Sequence, residues 1–267
     1  MKILNRLAVF SSIFLFQSLS HAVNVPAGIK HDGYDRLLKK YVDENGLVAY
    51  EKWKNNAVDV KALDSYLEQL APAGNSAGGN EKFASLVNAY NAFVLQLILQ
   101  NYPTESIWSV KNSFKTRSHK LGGEMVSLND IENLTLRPEF GYRTHAVLVC
   151  AGRSCPPLQR SAYTSDQLDE QVTRAYRQWL GRSDLNEFLP AKNEASVSSI
   201  FKWFKGDFDK VGGVPKILAK YAPAQDRNFL EHPGYKISYK DYNWGLNDQG
   251  EHGRHYSKTN LYLDNLF

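Results

Sequence analysis

The stretch His145-Ala-Val-Leu-Val-Cys150-Ala-Gly-Arg-Ser-Cys155-Pro-Pro-Leu158 decides how this chain is read. Residues 144–150 are a continuous apolar run, the pattern of a strand buried on both faces. A small-residue turn follows and delivers a cysteine ahead of two prolines. Both cysteines of the 267-residue chain lie here. The stretch is therefore either a rigid mount for a reactive thiol or a small disulfide loop.

The segments before this run show helical periodicity. Residues 32–44 place Tyr34, Leu37, Leu38, Tyr41 and Val42 on one face, ending at Asn45-Gly46. Residues 59–70 repeat the pattern. Residues 71–80 are rich in Pro, Gly, Ser and Asn and predict a loop. Residues 81–101 are apolar nearly all round, which predicts a helix at the centre of the fold. Gly122-Gly123 predicts a hairpin, and Ser127 with Asp130 predicts a capping box. Beyond the cysteines, a helix is expected over residues 164–181, with Thr164 and Gln167 as cap partners. Short helices are expected over 199–204 and 215–221, and a half-exposed strand over 235–240. The expected fold is a single α+β domain, helix-rich in its first half, with a small, mainly antiparallel sheet in the second.

The ends bound the domain. Residues 1–22 combine Lys2 and Arg6, a short apolar run from Leu7 to Phe16, and the small residues Ser20 and Ala22. That is the layout of a signal peptide cleaved after Ala22. The run is short of the roughly 20 residues a bilayer needs, and no later segment reads as a span. An exported protein, periplasmic or secreted, is expected, with its domain over residues 23–247 and a polar tail over 248–267. Removing Lys2 and Arg6 takes the formal charge from +4 to +2. The basic residues are also scattered, so a nucleic-acid partner is not expected. The expected partner class is a peptide or an envelope component.

Four blocks recur in a familiar order. They are Val87-Asn-Ala-Tyr-Asn-Ala92 with Tyr102-Pro103; Ser127-Leu-Asn-Asp-Ile-Glu132 with Arg137; His145 to Pro156; and Ile200-Phe-Lys-Trp203 with Asp207-Phe208 and Tyr242-Asn-Trp-Gly-Leu-Asn247. Together they resemble the domain of unknown function family 547, from about Gly46 to Asn247. The resemblance implies a fold unit and includes Cys155, but it implies no activity, since none is established for the family. The chain departs from the family pattern at Phe83-Ala-Ser-Leu-Val-Asn88, where an aromatic pair more often precedes the asparagine.

Cys155 is the candidate nucleophile. Pro156 suits the first position of a helical turn, which would make Cys155 an N-cap. A neighbouring Arg153 would then help hold it as thiolate. Cys150 reads as a buried structural cysteine or as the partner in a local disulfide. His145 is the preferred base, although an extended run would hold it about 16 Å from Cys150. It reaches Cys155 only if residues 151–154 double back. His119 reads as an exposed loop histidine. Glu132 is expected either to pair with Arg137 or to orient His145. Asn88 and Asn91 share one helix face and are expected to tie down loop backbone, or to orient the base or an oxyanion. The pair His252 and His255 lacks a third metal ligand. There is no phosphate loop, dinucleotide fingerprint, zinc spacing or serine elbow, so neither metal nor cofactor is expected. Two functions remain open: a cysteine-dependent hydrolase or acyl transferase acting on peptide or amide bonds, and a non-catalytic envelope binding domain with a structural Cys150–Cys155 loop.

Overall fold

The computed structural model describes residues 22–232, 234–254 and 256. The expected signal peptide (but for Ala22) and the expected tail beyond Arg254 (but for Tyr256), which includes His255, lie outside these residues. Four helices build the first half: α1 (Asp32–Tyr41), α2 (Tyr50–Lys54), α3 (Ala57–Leu70) and α4 (Gly79–Asn101). Helix α1 stops three residues earlier than expected, because Val42 turns extended and bridges Val48. Gly46 then turns at φ +76°, and a Cβ there would lie 2.5 Å from the Leu158 nitrogen. Only glycine allows the first turn to pass this close to the chain after the cysteines.

Helix α4 is the centre of the core. Its side chains from Phe83 to Leu95 are all buried, as its unbroken apolar pattern requires. By length and composition alone this helix is apolar enough to cross a membrane, which corrects the expectation that no later segment is. The fold accounts for that composition, since 83% of the most apolar window is buried inside the protein.

A hairpin of β1 (His119–Leu121) and β2 (Glu124–Val126) follows, turning at Gly122-Gly123 as expected. Ser127 and Asp130 form the expected capping box and start α5 (Leu128–Ile131). The helix continues through a π turn over Glu132–Leu136 into α6 (Arg137–Phe140). The wider turn holds an extra residue and shifts the side chains after it around the axis.

The apolar run over 144–150 is not a strand. A 3-10 helix covers Gly141–Ala146 and irregular chain follows. The run is apolar because Ala146, Val147 and Val149 are buried in the core, not because it pairs in a sheet. Periodicity cannot separate these cases for so short a run. The next helix, α7 (Leu168–Leu180), starts later than expected and without the Thr164–Gln167 box. Gln171 takes over, accepting from the Thr164 backbone and donating to the Ala162 carbonyl.

The second half holds β3 (Glu187–Leu189) and β4 (Glu194–Ser198), then α8 (Ile200–Trp203), α9 (Lys205–Asp209), α10 (Val214–Tyr221), α11 (Ala224–Glu231) and β5 (Lys236–Lys240). The sheet order is β3-β4-β5, antiparallel between β3 and β4 and parallel between β4 and β5. With the β1–β2 hairpin, two of the three strand pairings are antiparallel. The fold is α+β, as expected.

Residues 242–248 return to the front of the molecule. Gly152 bridges Leu246 and Val48 bridges Asp248. Asp248 is buried and accepts from the Tyr102 hydroxyl at 2.8 Å. The chain beyond Asn247 thus packs on the body at least through Asp248.

Candidate active site

The cysteine turn is held by backbone. Ala151 adopts φ +60°, a left-handed conformation unusual for a residue with a Cβ. Segment 243–247 holds it there. Arg153 donates its N–H to the Gly245 carbonyl (2.8 Å), Ser154 to Asn243 (3.1 Å), and Asn247 to Ala151 (2.9 Å). The turn closes with the Cys155 N–H donating to the Gly152 carbonyl at 3.1 Å. No helical turn follows Cys155, so it is not an N-cap. Arg153 also does not serve the thiol, since its guanidinium donates to the Asp248 carbonyl at 2.8 Å.

What does face the thiol is different. Cys150 Sγ and Cys155 Sγ lie 2.8 Å apart, and both cysteines are free thiols. The Tyr242 hydroxyl donates to Cys155 Sγ at 3.2 Å and lies 3.9 Å from Cys150 Sγ. Burial pushes the Cys155 thiol up. Hydrogen bonds from Cys150, from Tyr242 and from the Gly152 backbone N–H outweigh it, and the net shift is downward. Cys150 moves the opposite way, well above the ordinary thiol range. It keeps its proton to donate to Cys155, and burial adds to the effect. The pair is therefore asymmetric, with Cys155 the sulfur that gives up its proton more readily.

Both sulfurs line a cavity of about 60 Å³ whose lining also includes His145, Glu132, Tyr90 and Asn129. Trp203, Tyr242 and Trp244 form an aromatic side to it, with Trp203 and Trp244 stacked at 5.7 Å. Sequence reasoning left open whether Cys155 and His145 could share a site. They do, because the run between them is coiled rather than extended.

His145 is buried and stacks on Phe204. Its Nε2 donates to Asp207 Oδ2 at 3.0 Å, and Arg137 Nε donates to the same oxygen at 2.9 Å. This tautomer leaves Nδ1 as the acceptor nitrogen. Burial lowers the His145 basicity, with Asp207 working against it. His145 and Arg137 hold Asp207 far below the usual carboxylate range. Asp207, like Tyr242, is a residue of this candidate site to which sequence reasoning gave no role. It stood inside a quoted block, but its pairing spans 62 positions and carries no local signal.

Glu132, at the start of the π turn, accepts from the Tyr90 hydroxyl at 3.2 Å. Burial raises its pKa, with the Arg137 charge opposing. Arg137 is shared between Asp207 and Asn133, so the expected simple Glu132–Arg137 pair is replaced by a wider network. Asn91 donates to the Val147 carbonyl and accepts from the Val149 N–H, each at 2.9 Å. Asn88 does the same for both backbone groups of Tyr163. Both asparagines thus position loops, and Asn91 pins the chain between His145 and Cys150. His119 corrects the expectation of an exposed loop residue: it is buried in β1, stacked on Phe93 at 4.3 Å, and does not line this cavity. Among the described residues, no group of three or more His, Cys, Asp and Glu side chains could hold a metal ion.

A comparison with curated proteins and another with solved structures find no match. A comparison with family models does. Its matched segment holds the first three sequence blocks and every candidate residue named from them, and leaves Asp207 and Tyr242 beyond its end. Residues 75–180 match the model of DUF547, described as a protein family of unknown function, which is the family that the motifs of this chain resemble.

Proposed function

We propose that the cavity is a thiol-dependent acyl-transfer site acting on a small amide or ester, with Cys155 as nucleophile. The observation that carries this reading is the shared cavity: it joins a thiol shifted toward thiolate with a carboxylate-held imidazole. The Cys155 sulfur forms a bond to the carbonyl carbon, and the carbonyl oxygen takes the electron pair. The proton lost from Cys155 passes through water to His145 Nδ1. It then goes to the departing amine or alcohol as the tetrahedral intermediate collapses. Water, activated by the same nitrogen, cleaves the thioester and restores the thiol. Asn129, whose Oδ1 already accepts from Asn133, offers its Nδ2 as a donor to the developing oxyanion. Asp207 orients His145 and stabilises its protonated form. A cavity of about 60 Å³ suits an acyl group rather than a long side chain. The setting belongs to the proposal: an exported protein meeting peptide or amide groups of the envelope.

The test uses reduced protein and an activated ester such as p-nitrophenyl acetate. A burst of one equivalent is expected, absent in Cys155→Ala and slowed in His145→Ala. A missing burst in wild type, or one unchanged in Cys155→Ala, overturns the proposal. A second reading, the non-catalytic binding domain with a structural loop, is favoured by the 2.8 Å sulfur contact. It expects reduced protein that forms no acyl-enzyme and melts at a lower temperature than oxidised protein.

A further inference from the structure

The two sulfurs raise a question that acyl transfer does not answer. A nucleophile needs a base, not a second thiol, yet a second thiol sits 2.8 Å away. The turn between them is fixed at both ends: Gly152 bridges Leu246, and Ser154 donates to the Asn243 carbonyl. The sulfurs are thus held together by backbone rather than meeting by chance rotation. A disulfide bond is about 2.05 Å long, so closing it takes less than about 1 Å of movement, within reach of a small side-chain adjustment.

The donors around the pair also serve both sulfurs. Tyr242 Oη lies within reach of each. The Gly152 backbone N–H acts on each. A thiolate that appears first on one sulfur and then on the other finds the same two donors waiting. That is what a two-step exchange requires, and a lone nucleophile has no use for it.

We propose that Cys150 and Cys155 form a reversible dithiol–disulfide couple that exchanges with low-molecular-weight disulfides, Cys155 attacking and Cys150 resolving. The inference shares with the acyl-transfer reading only the premise that Cys155 is the reactive thiol. In the first step the Cys155 thiolate attacks one sulfur of RS–SR. A Cys155–SR bond forms, the RS–SR bond breaks, and RS⁻ leaves. In the second step Cys150 gives its proton to that RS⁻, and its sulfur attacks Cys155 Sγ. The Cys155–SR bond breaks, the Cys150–Cys155 bond forms, and a second RS⁻ leaves. This second RS⁻ takes up the proton that Cys155 lost at the start. Two thiols are oxidised, one external disulfide is reduced, and two RSH are released. A cavity of about 60 Å³ favours a small, linear disulfide over the disulfide of a folded protein. While the couple is oxidised Cys155 is not a nucleophile, so this exchange also turns acyl transfer off.

The experiment treats the reduced, desalted protein with 2-hydroxyethyl disulfide and follows intact mass after acid quench. Wild type is expected to end lighter by two hydrogens and without adduct. Cys150→Ser is expected to accumulate the mixed disulfide on Cys155. Cys155→Ser is expected to react about three- to tenfold more slowly than Cys150→Ser, its remaining thiol lying 3.9 Å from the Tyr242 hydroxyl where Cys155 lies 3.2 Å from it. Wild type that keeps its adduct, or Cys155→Ser reacting as fast as Cys150→Ser, overturns the proposal. Peptide mapping of early wild-type quench points needs no variant: a transient adduct on Cys155 supports the couple and one on Cys150 overturns it. The ester burst on reduced wild type keeps the two readings apart. A couple that closes without a burst removes acyl transfer alone, and a burst without closure removes the couple alone.

Discussion

The cavity has two walls built in different ways. The sulfur wall is shaped by main chain: the turn at 151–155 pairs with residues 243–247, and the thiols are served by a phenol and a backbone N–H. The imidazole wall is shaped by charge, with Asp207 accepting from both His145 and Arg137. The first tunes a pKa with neutral donors that hold their places. The second depends on a buried carboxylate that must keep its partners. The charged wall should therefore fail more severely when one member is removed, and the sulfur wall should lose reactivity before it loses stability.

The largest expected effect is on the charged wall. Asp207→Ala leaves Arg137 and His145 without their shared carboxylate and should cost about 3–5 kcal/mol in chemical denaturation. A loss smaller than that of any sulfur-wall variant would reverse the contrast.

Acid acts on stability through two buried histidines, one at the imidazole wall and one away from the cavity. Burial lowers His119 to about 4, and no carboxylate works against the shift; for His145, Asp207 does. A histidine whose folded pKa lies below its unfolded value binds its proton preferentially when unfolded. Stability is complete above about pH 6.5 and falls as the pH drops toward 4, by about 3 kcal/mol for His119. Asp207 has the usual sign for a depressed carboxylate: its contribution is present above the unfolded carboxylate pKa, about 4, and fades only below it. Denaturation midpoints at pH 7 and pH 4.5 should converge in His119→Phe. An unchanged gap would assign the acid limb to His145 instead.

Asn91 joins the walls. Asn91→Ala leaves the Val147 carbonyl and the Val149 N–H without their partner and should cost about 2–3 kcal/mol. Thiol alkylation and ester burst should decline together in this variant. A decline in only one would show the walls to be independent of their connecting chain. The smallest expected effect is Tyr242→Phe, with stability within about 1 kcal/mol of wild type and Cys155 alkylation by iodoacetamide at pH 7 slowed about three- to tenfold. An unchanged rate would leave the Cys150 thiol and the Gly152 N–H as the donors that matter.

Much of the local structure was legible. Residues 81–101 read as a buried helix because apolar side chains on every face have no other place to go. The hairpin at Gly122-Gly123 and the Ser127–Asp130 capping box are short-range devices, complete within a few residues. The run at 144–150 misled because burial and strand formation leave the same apolar signature over seven residues. Strands β3 and β4 went unread, being short and flanked by polar chain. At the site, Cys155, His145 and Glu132 were named from sequence and share one cavity. Asp207 and Tyr242 stood in the quoted blocks without roles, because nothing near them in sequence shows what they meet.

Residue types and their spacing were enough to name the side chains with the chemistry: two cysteines five positions apart, a histidine at the head of an apolar run, and an acid after a helix cap. Tertiary structure alone decided how they work. It coiled the run so that His145 and Cys155 face one space, brought Tyr242 across 87 positions to the thiol, and placed Asp207 behind the imidazole. A thiol shifted toward thiolate, a buried carboxylate and a lowered imidazole each depend on neighbours within a few ångströms. Such distances are set by long-range packing, which no window of sequence contains.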